Sequence, residues 1–235
     1  MKLLKGIEAV DLCLLVDDTL IIGDVHIGYE EELNKKGILI PRISFNEVIQ
    51  RLSRIFKKVF VNKIILLGDL KHEFGTISET EWRNTLRLVD FLSKHCNDLI
   101  LLKGNHDTIL EPILSKRDLI VKDYVVLDGI LFCHGDRLVS ELGVKEKFNT
   151  IIIGHEHPAV TIGTVTRKER YKCFLVGKFE KKNLVVVPSF NLLTEGTNVL
   201  RDRLLSPFLK DISKFNVYIV GDEVLDFGLV KSLRN

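Results

Sequence analysis

The sequence predicts an α/β fold in which two sheets pack face to face with helices outside. Three observations lead there. Short apolar runs, each long enough for one buried strand, end abruptly in polar residues with a glycine at or beside the break. The first half alternates such runs with amphipathic helical stretches, the pattern of a parallel sheet. The second half is mostly strand-like with frequent turn residues, the pattern of antiparallel pairing.

Residues 12–16 and 20–23 read as two strands around a turn at Asp17-Asp18. After Gly28, residues 29–36 form a short helix stopped by Gly37. Ser44 and Glu47 match a capping box, and Phe45, Val48, Ile49, Leu52, Ile55 and Phe56 follow at helical spacing. Residues 63–68 form the next buried strand. A second capping box, Ser78 and Glu81, opens a helix with the stripe Trp82, Leu86, Val89 and Leu92, ending near His95. Residues 99–102 are the following strand, so right-handed βαβ crossovers are expected. Residues 109–114 make a short helix interrupted by Pro112. Residues 124–127 and 130–133 form a hairpin around Asp128-Gly129. Residues 151–153 are a further buried run. From 160 to 187 the pattern is strand-like, with turns expected at Gly163, Gly177 and Lys181-Lys182-Asn183. A polar loop, 188–198, precedes a closing hairpin, 216–220 and 223–227, around Gly221-Asp222. No repeat or linker divides the chain, so residues 1–235 are read as one domain.

With 34 basic and 32 acidic residues the net charge is +2. A nucleic-acid partner therefore needs a local basic patch. Residues 158–182 supply one: Arg167, Lys168, Arg170, Lys172, Lys178, Lys181 and Lys182 against Glu169 and Glu180, a local balance of +5. No apolar run approaches the ~18 residues of a membrane helix, and Glu8 and Asp11 interrupt any signal-peptide core. Cys13, Cys96, Cys133 and Cys173 lie far apart without a C-x-x-C pair, as expected of buried thiols in a reducing, cytoplasmic compartment.

The polar residues after the apolar runs are of one chemical kind. They are Asp24-Val25-His26, Asp69 with His72, Asn105-His106-Asp107, His134-Gly135-Asp136 and His155-Glu156-His157. Six of the seven histidines fall in these clusters, leaving His95 outside. Open α/β sheets gather ligands at the carboxyl ends of their strands. Side chains at i and i+2 of extended backbone point the same way. Asp24 and His26 can thus grip one ion, and His155 and His157 can serve a neighbouring pair. Asp69 can offer one oxygen to each of two ions, and Asn105 a neutral carbonyl oxygen. Imidazole, carboxylate and amide donors suit Mn, Fe, Co, Ni or Zn, and the absence of thiolates argues against a structural zinc site. Two ions ~3.5–4 Å apart can activate a bridging hydroxide for in-line displacement. His106, beside a ligand and pointing away from it, can face substrate and donate a proton to the leaving oxygen, with Asp107 orienting its ring.

These five motifs, in this order, resemble those of calcineurin-like metallophosphoesterases. Residues 23–33 and the loop Phe190-Asn191-Leu192-Leu193-Thr194-Glu195-Gly196-Thr197-Asn198 resemble the ICC-like phosphoesterases, a group that includes archaeal proteins and bacterial phosphoesterases associated with DNA ligase. The resemblance implies a four-layer α/β/β/α sandwich of two mixed sheets flanked by helices. It implies two divalent metal ions per chain, manganese foremost. One would sit on Asp24, His26, Asp69 and His157, the other on Asp69, Asn105, His134 and His155, with His106 catalytic. Protein serine/threonine phosphatases carry Asp-Arg after the second motif's Gly-Asp and usually end the third motif in Glu. Here the second motif reads Gly68-Asp69-Leu70-Lys71-His72, without that arginine, and the third ends in Asp107. His72 resembles the phosphodiesterase and repair-nuclease branch, so the expected catalytic set is His106, Asp107 and His72. The expected activity is hydrolysis of a phosphodiester, in nucleic acid or a nucleotide. The alternatives are a phosphomonoesterase or nucleotide pyrophosphohydrolase acting on a small molecule, and a non-catalytic metal-binding scaffold.

Overall fold

A computed structural model describes residues 1–40, 43–73, 78–107, 110, 114–117, 119–163 and 167–233. The first sheet runs in sequence order: β1 (Lys2–Leu4), β2 (Ile7–Val10), β3 (Cys13–Val16), β4 (Thr19–Ile22), β5 (Lys63–Leu66), β6 (Asp98–Leu102) and β7 (Val121–Lys122). Strands β1 to β4 pair antiparallel, and β4 to β7 pair parallel. Ile22 pairs with Leu66, and Leu66 with Leu101, so the carboxyl ends of β4, β5 and β6 lie level. Helices α1 (Tyr29–Lys35), α2 (Ser44–Phe56) and α3 (Glu79–Ser93) fill the crossovers. The first two strands are not foreseen by the sequence pattern. Each is three or four residues long, with charged residues among few apolar ones, too little pattern for a strand to show.

The second sheet contains β8 (Tyr124–Leu127), β9 (Ile130–Cys133), β10 (Thr150–Ile153), β11 (Pro158–Gly163), β12 (Lys168–Phe179), β13 (Lys182–Val186) and β14 (Thr197–Asn198), in the order β14-β11-β12-β13-β10-β9-β8. Strand β15 (Asn216–Val220) joins β12 and carries β16 (Val224–Leu229) at its edge. Strand β9 runs parallel to β10, with Cys133 opposite Ile153, so their carboxyl ends are also level.

Alternation divides the second sheet's side chains between two cores. Phe132, Ile152, Phe174, Val176, Val185 and Val187 join the core shared with the first sheet, α2 and α3. Leu131, Cys133, Ile151, Ile153, Cys173, Leu175 and Val186 face the other way, against Phe208, Leu209, Ile212 and Phe215. The expected outer helical layer is thus thin on this side. Among the described residues it is irregular chain around 199–215 with two single-turn helices, α4 (Val139–Leu142) and α5 (Val230–Leu233).

The long helices follow their apolar spacing with two differences. In α2, Phe45, Val48, Leu52 and Ile55 are buried as predicted, each stabilising the fold by about 1.5–3 kcal/mol. Ser44, however, lies inside the helix rather than capping it: its amide and hydroxyl donate to the buried carboxylate of Glu30. Ser78 does cap α3, accepting from the Glu81 amide at 3.1 Å. The buried face of α3 is Glu81, Asn84, Thr85, Leu88, Val89 and Leu92, while Trp82 and Leu86 of the expected stripe are only half-buried; the first turn faces a polar loop, where Glu81 accepts the amides of His72 and Glu73. Gly177 is not a turn: β12 runs straight through it, and a Cβ there would stand 2.4 Å from the Phe215 ring. The helix expected at 109–114 falls largely outside the described residues, within which Leu110 and Leu114 are buried. No described helix is long and apolar enough to cross a membrane.

Candidate active site

The polar loops after β4, β5, β6, β9 and β10 converge where the carboxyl ends of the two sheets meet. The chain must leave each strand sharply to achieve this. His26, Asp69, His155 and His157 all adopt left-handed backbone, with φ of 49°, 48°, 64° and 50°. Such conformations cost non-glycine residues energy and cluster where function demands a particular aim. Gly104 and Gly154 permit the close approach: a Cβ would stand 2.1 Å from Asp69 Oδ1 at the first and 2.5 Å from Asp24 Oδ2 at the second.

Two donor clusters that include a carboxylate result, beside a third group, His26, His72 and His106, that has none. In the first, His157 Nε2 lies 3.2 Å from His26 Nε2 and 3.4 Å from Asp24 Oδ1. In the second, His134 Nε2 lies 3.1 Å from His155 Nδ1, 3.0 Å from Asn105 Oδ1 and 3.4 Å from Asp69 Oδ2. The same Asp69 oxygen is 3.7 Å from His26 Nε2, so it faces both clusters. The expectation of one Asp69 oxygen for each ion is therefore modified: Oδ1 accepts the His106 amide at 2.8 Å, and Oδ2 alone looks into the gap. The pairing of His155 with His157 also changes. Left-handed backbone at both residues sends His155 to Asp69 and His134, and His157 to Asp24 and His26.

The electrostatics suit a divalent ion. Burial raises the carboxyl of Asp24, but His157, His134 and His26 outweigh it and hold the group well below its usual range. Burial likewise raises Asp69, and His134 outweighs it. Burial and then His157 push the His26 imidazole down to about 3, and burial with His134 lowers His155. Burial lowers His134 too, but Asp69 and Asp24 carry it up to about 10. Two buried carboxylates thus demand positive charge between them. Without a metal the His134 proton supplies it, and an ion taking His134 Nε2 would displace that proton. Each cluster's donor atoms lie within 4.8 Å of one another, and none is sulfur. The residues present therefore fit two divalent ions with borderline preferences.

His106 flanks the clusters. Its Nδ1 is 2.6 Å from the His72 carbonyl, to which it donates, and its Nε2 lies 3.9 Å from Asp69 Oδ2. Asp107 does not orient this ring, contrary to expectation. Its carboxylate accepts the amides of Leu70 at 3.1 Å and Gly104 at 3.0 Å, tying the second loop to the third. Burial, and Asp69 after it, push this carboxyl up to about 6. A cleft of about 210 Å³ opens over the site, lined by His26, Tyr29, His72, His106, His157, Asn191 and Thr194.

Spacing alone misses the braces behind the first cluster. Ser189 Oγ donates to the Asp24 carbonyl at 2.9 Å, and Asn191 Nδ2 donates to the Val25 carbonyl at 3.0 Å and His26 carbonyl at 3.3 Å. The Lys172 amine donates to the carbonyls of Ser189 and Asn191, holding that loop from below. Only the resemblance of 190–198 points to this segment.

A sequence profile of calcineurin-like phosphoesterases matches residues 18–224. Among solved structures, the nuclease MPE of Pseudomonas putida superposes with a TM-score of 0.64 at 22% identity, covering 92% of each chain. Yfce, a phosphoesterase from E. coli, gives a TM-score of 0.43 at 13% identity, covering 90% of this chain and 98% of its own. A comparison with curated proteins gives no match. The profile spans all five motifs and both donor clusters, and the chain belongs to the calcineurin-like phosphoesterases.

Proposed function

We propose that this metallophosphoesterase is a phosphodiesterase with two metal positions, acting on nucleic acid or a nucleotide. One observation carries the preference for diesters. No Arg or Lys stands among the described residues lining the cleft. The second motif lacks the phosphate-clamping arginine of the phosphatases, and its one cation, Lys71, is wholly buried with its amine on the Glu73 carbonyl. A phosphomonoester dianion needs added positive charge, whereas a diester carries one charge and presents a second ester group to an uncharged wall. The fold shared with a nuclease accords with this reading.

The first position is assigned to Asp24, His26, Asp69 and His157, and the second to Asp69, Asn105, His134 and His155. When bound there, divalent ions supply Lewis acidity toward the phosphoryl oxygens and lower the pKa of the attacking water. The chain's own residues do the rest. The Asp69 loop holds the two clusters at a fixed separation. Water adds to phosphorus and gives up a proton to solvent, the opposite ester P–O bond breaks, and the departing oxygen takes a proton. His106 is assigned that donation: its Nδ1–H is fixed on the His72 carbonyl, leaving Nε2 as the atom that exchanges a proton. Manganese is the first metal to test.

The experiment compares kcat/KM for bis-p-nitrophenyl phosphate and p-nitrophenyl phosphate, using the full chain loaded with Mn2+. Preference for the diester is expected. Preference for the monoester, or no turnover of either by a metal-loaded chain, would overturn the proposal.

A further inference from the structure

A metal-ligating imidazole almost always donates its outer N–H to an acceptor, which fixes the ring and strengthens it as a ligand. His134 follows this rule through backbone: its Nδ1 lies 2.8 Å from the Leu67 carbonyl. His26 is built differently. Its Nε2 faces Asp69 and His157, and its Nδ1 lies 3.4 Å from Nδ1 of His72. His72 places its other nitrogen, Nε2, against Oε2 of Glu32, and Oε1 of Glu32 takes the Lys36 amine one helical turn on.

The protonation pattern along this chain follows link by link. A lone pair on His26 Nε2 for a metal requires hydrogen on its Nδ1. That N–H faces His72 Nδ1, which must then accept. His72 therefore carries its hydrogen on Nε2 and donates it to the carboxylate of Glu32. We propose that Glu32, acting through His72, positions His26 and sets the metal affinity of the first site. This inference rests on the metal assignment above. It makes His72 a positioning residue rather than a donor to substrate, since both its ring nitrogens are engaged. Glu32 lies on α1, outside the five metal-binding motifs though within the 23–33 segment, with its side chain 28% exposed. The same helix supplies a control: Glu31 accepts from Ser78 Oγ at 2.6 Å and stands apart from the Glu32–His72–His26 series.

The test is titration of the metal-free full-length chain with Mn2+ by calorimetry. The parent should bind two equivalents. Glu32→Ala should weaken one of them by about 10–100-fold, the usual effect of losing an outer partner, and leave the other unchanged. Glu32→Gln, which keeps the shape and an acceptor oxygen, should lose less. Glu31→Gln should match the parent. In a His72→Phe background, Glu32→Ala should add no further loss. Parent-like binding by Glu32→Ala overturns the inference, and so does an undiminished effect in the His72→Phe background. A third Mn2+ equivalent abolished by His72→Phe would also overturn it, because the outer nitrogen of His26 would then be a ligand. A parent that binds no Mn2+ would sink the metal assignment itself, whereas a parent binding two beside an unaffected Glu32→Ala sinks only this inference.

Discussion

Replacing Asn191 by alanine removes the side chain that fastens the loop after β13 to the Asp24–His26 loop. Asn191 is 5% exposed. It donates to the carbonyls of Val25 and His26 and accepts the amides of Leu193 at 2.8 Å and Thr194 at 3.1 Å. Water can reach the two amides, whose residues are half-buried, so their loss costs about 0.5 kcal/mol each. The two carbonyls face a buried side chain and lose about 1 kcal/mol each. The total is about 3 kcal/mol, which for a domain of this size lowers Tm by about 6–12 °C. Differential scanning calorimetry of metal-free protein reads this directly. Mn2+ affinity should fall as well, because the His26 backbone is no longer fixed in its left-handed conformation. A Tm equal to the parent's would contradict this, showing that Ser189, Lys172 and the backbone bonds hold the loop without Asn191.

Three further outcomes are expected. His106→Ala should keep both metal equivalents but slow turnover by about 10²–10⁴-fold for alkyl esters that need a proton, and far less for p-nitrophenyl esters; equal losses would make His106 a charge stabiliser. If the β11–β12 hairpin tracks nucleic-acid backbone, charge reversal at Arg167, Lys168 and Arg170 should flatten the dependence of log affinity on log salt by about 0.7–0.9 for each phosphate no longer neutralised, and an unchanged slope would leave the hairpin a solvated face. Arg170 is the most informative of these, as its guanidinium donates to the Gly196 carbonyl, 3.1 Å away beside the cleft loop. Burial and then Arg51 push the Lys172 amine from 10.5 down to about 7. Between those pH values the unfolded chain binds the additional proton, so stability should rise with pH across that window, and Lys172→Met should flatten the rise in a pH series of thermal melts.

The strand ends are legible in the sequence because an apolar run that stops at glycine before a carboxylate or imidazole is a local signal. All the expected ligands do come together at the convergence of the two sheets. The division of His155 from His157 is not readable from i, i+2 spacing, because that rule assumes extended backbone and both residues are left-handed. The expectation for Asp107 fails for a similar reason. Adjacency to His106 suggests an interaction with that ring, whereas its partners are amides that include one on a loop far back in the sequence. Gly177 looks like a turn residue, and the actual reason for it is the Phe215 ring from a distant segment. Glu32, Ser189 and Asn191 act across loops that local periodicity cannot join, so no spacing rule finds them.

If Asp69 joins two metal positions through one oxygen, the metal content of Asp69→Ala reveals it. Mn2+ bound per chain would be measured after dialysis, beside a circular dichroism spectrum showing the fold intact. Both equivalents should be lost, and activity with them. A folded Asp69→Ala chain that still holds two equivalents would contradict it.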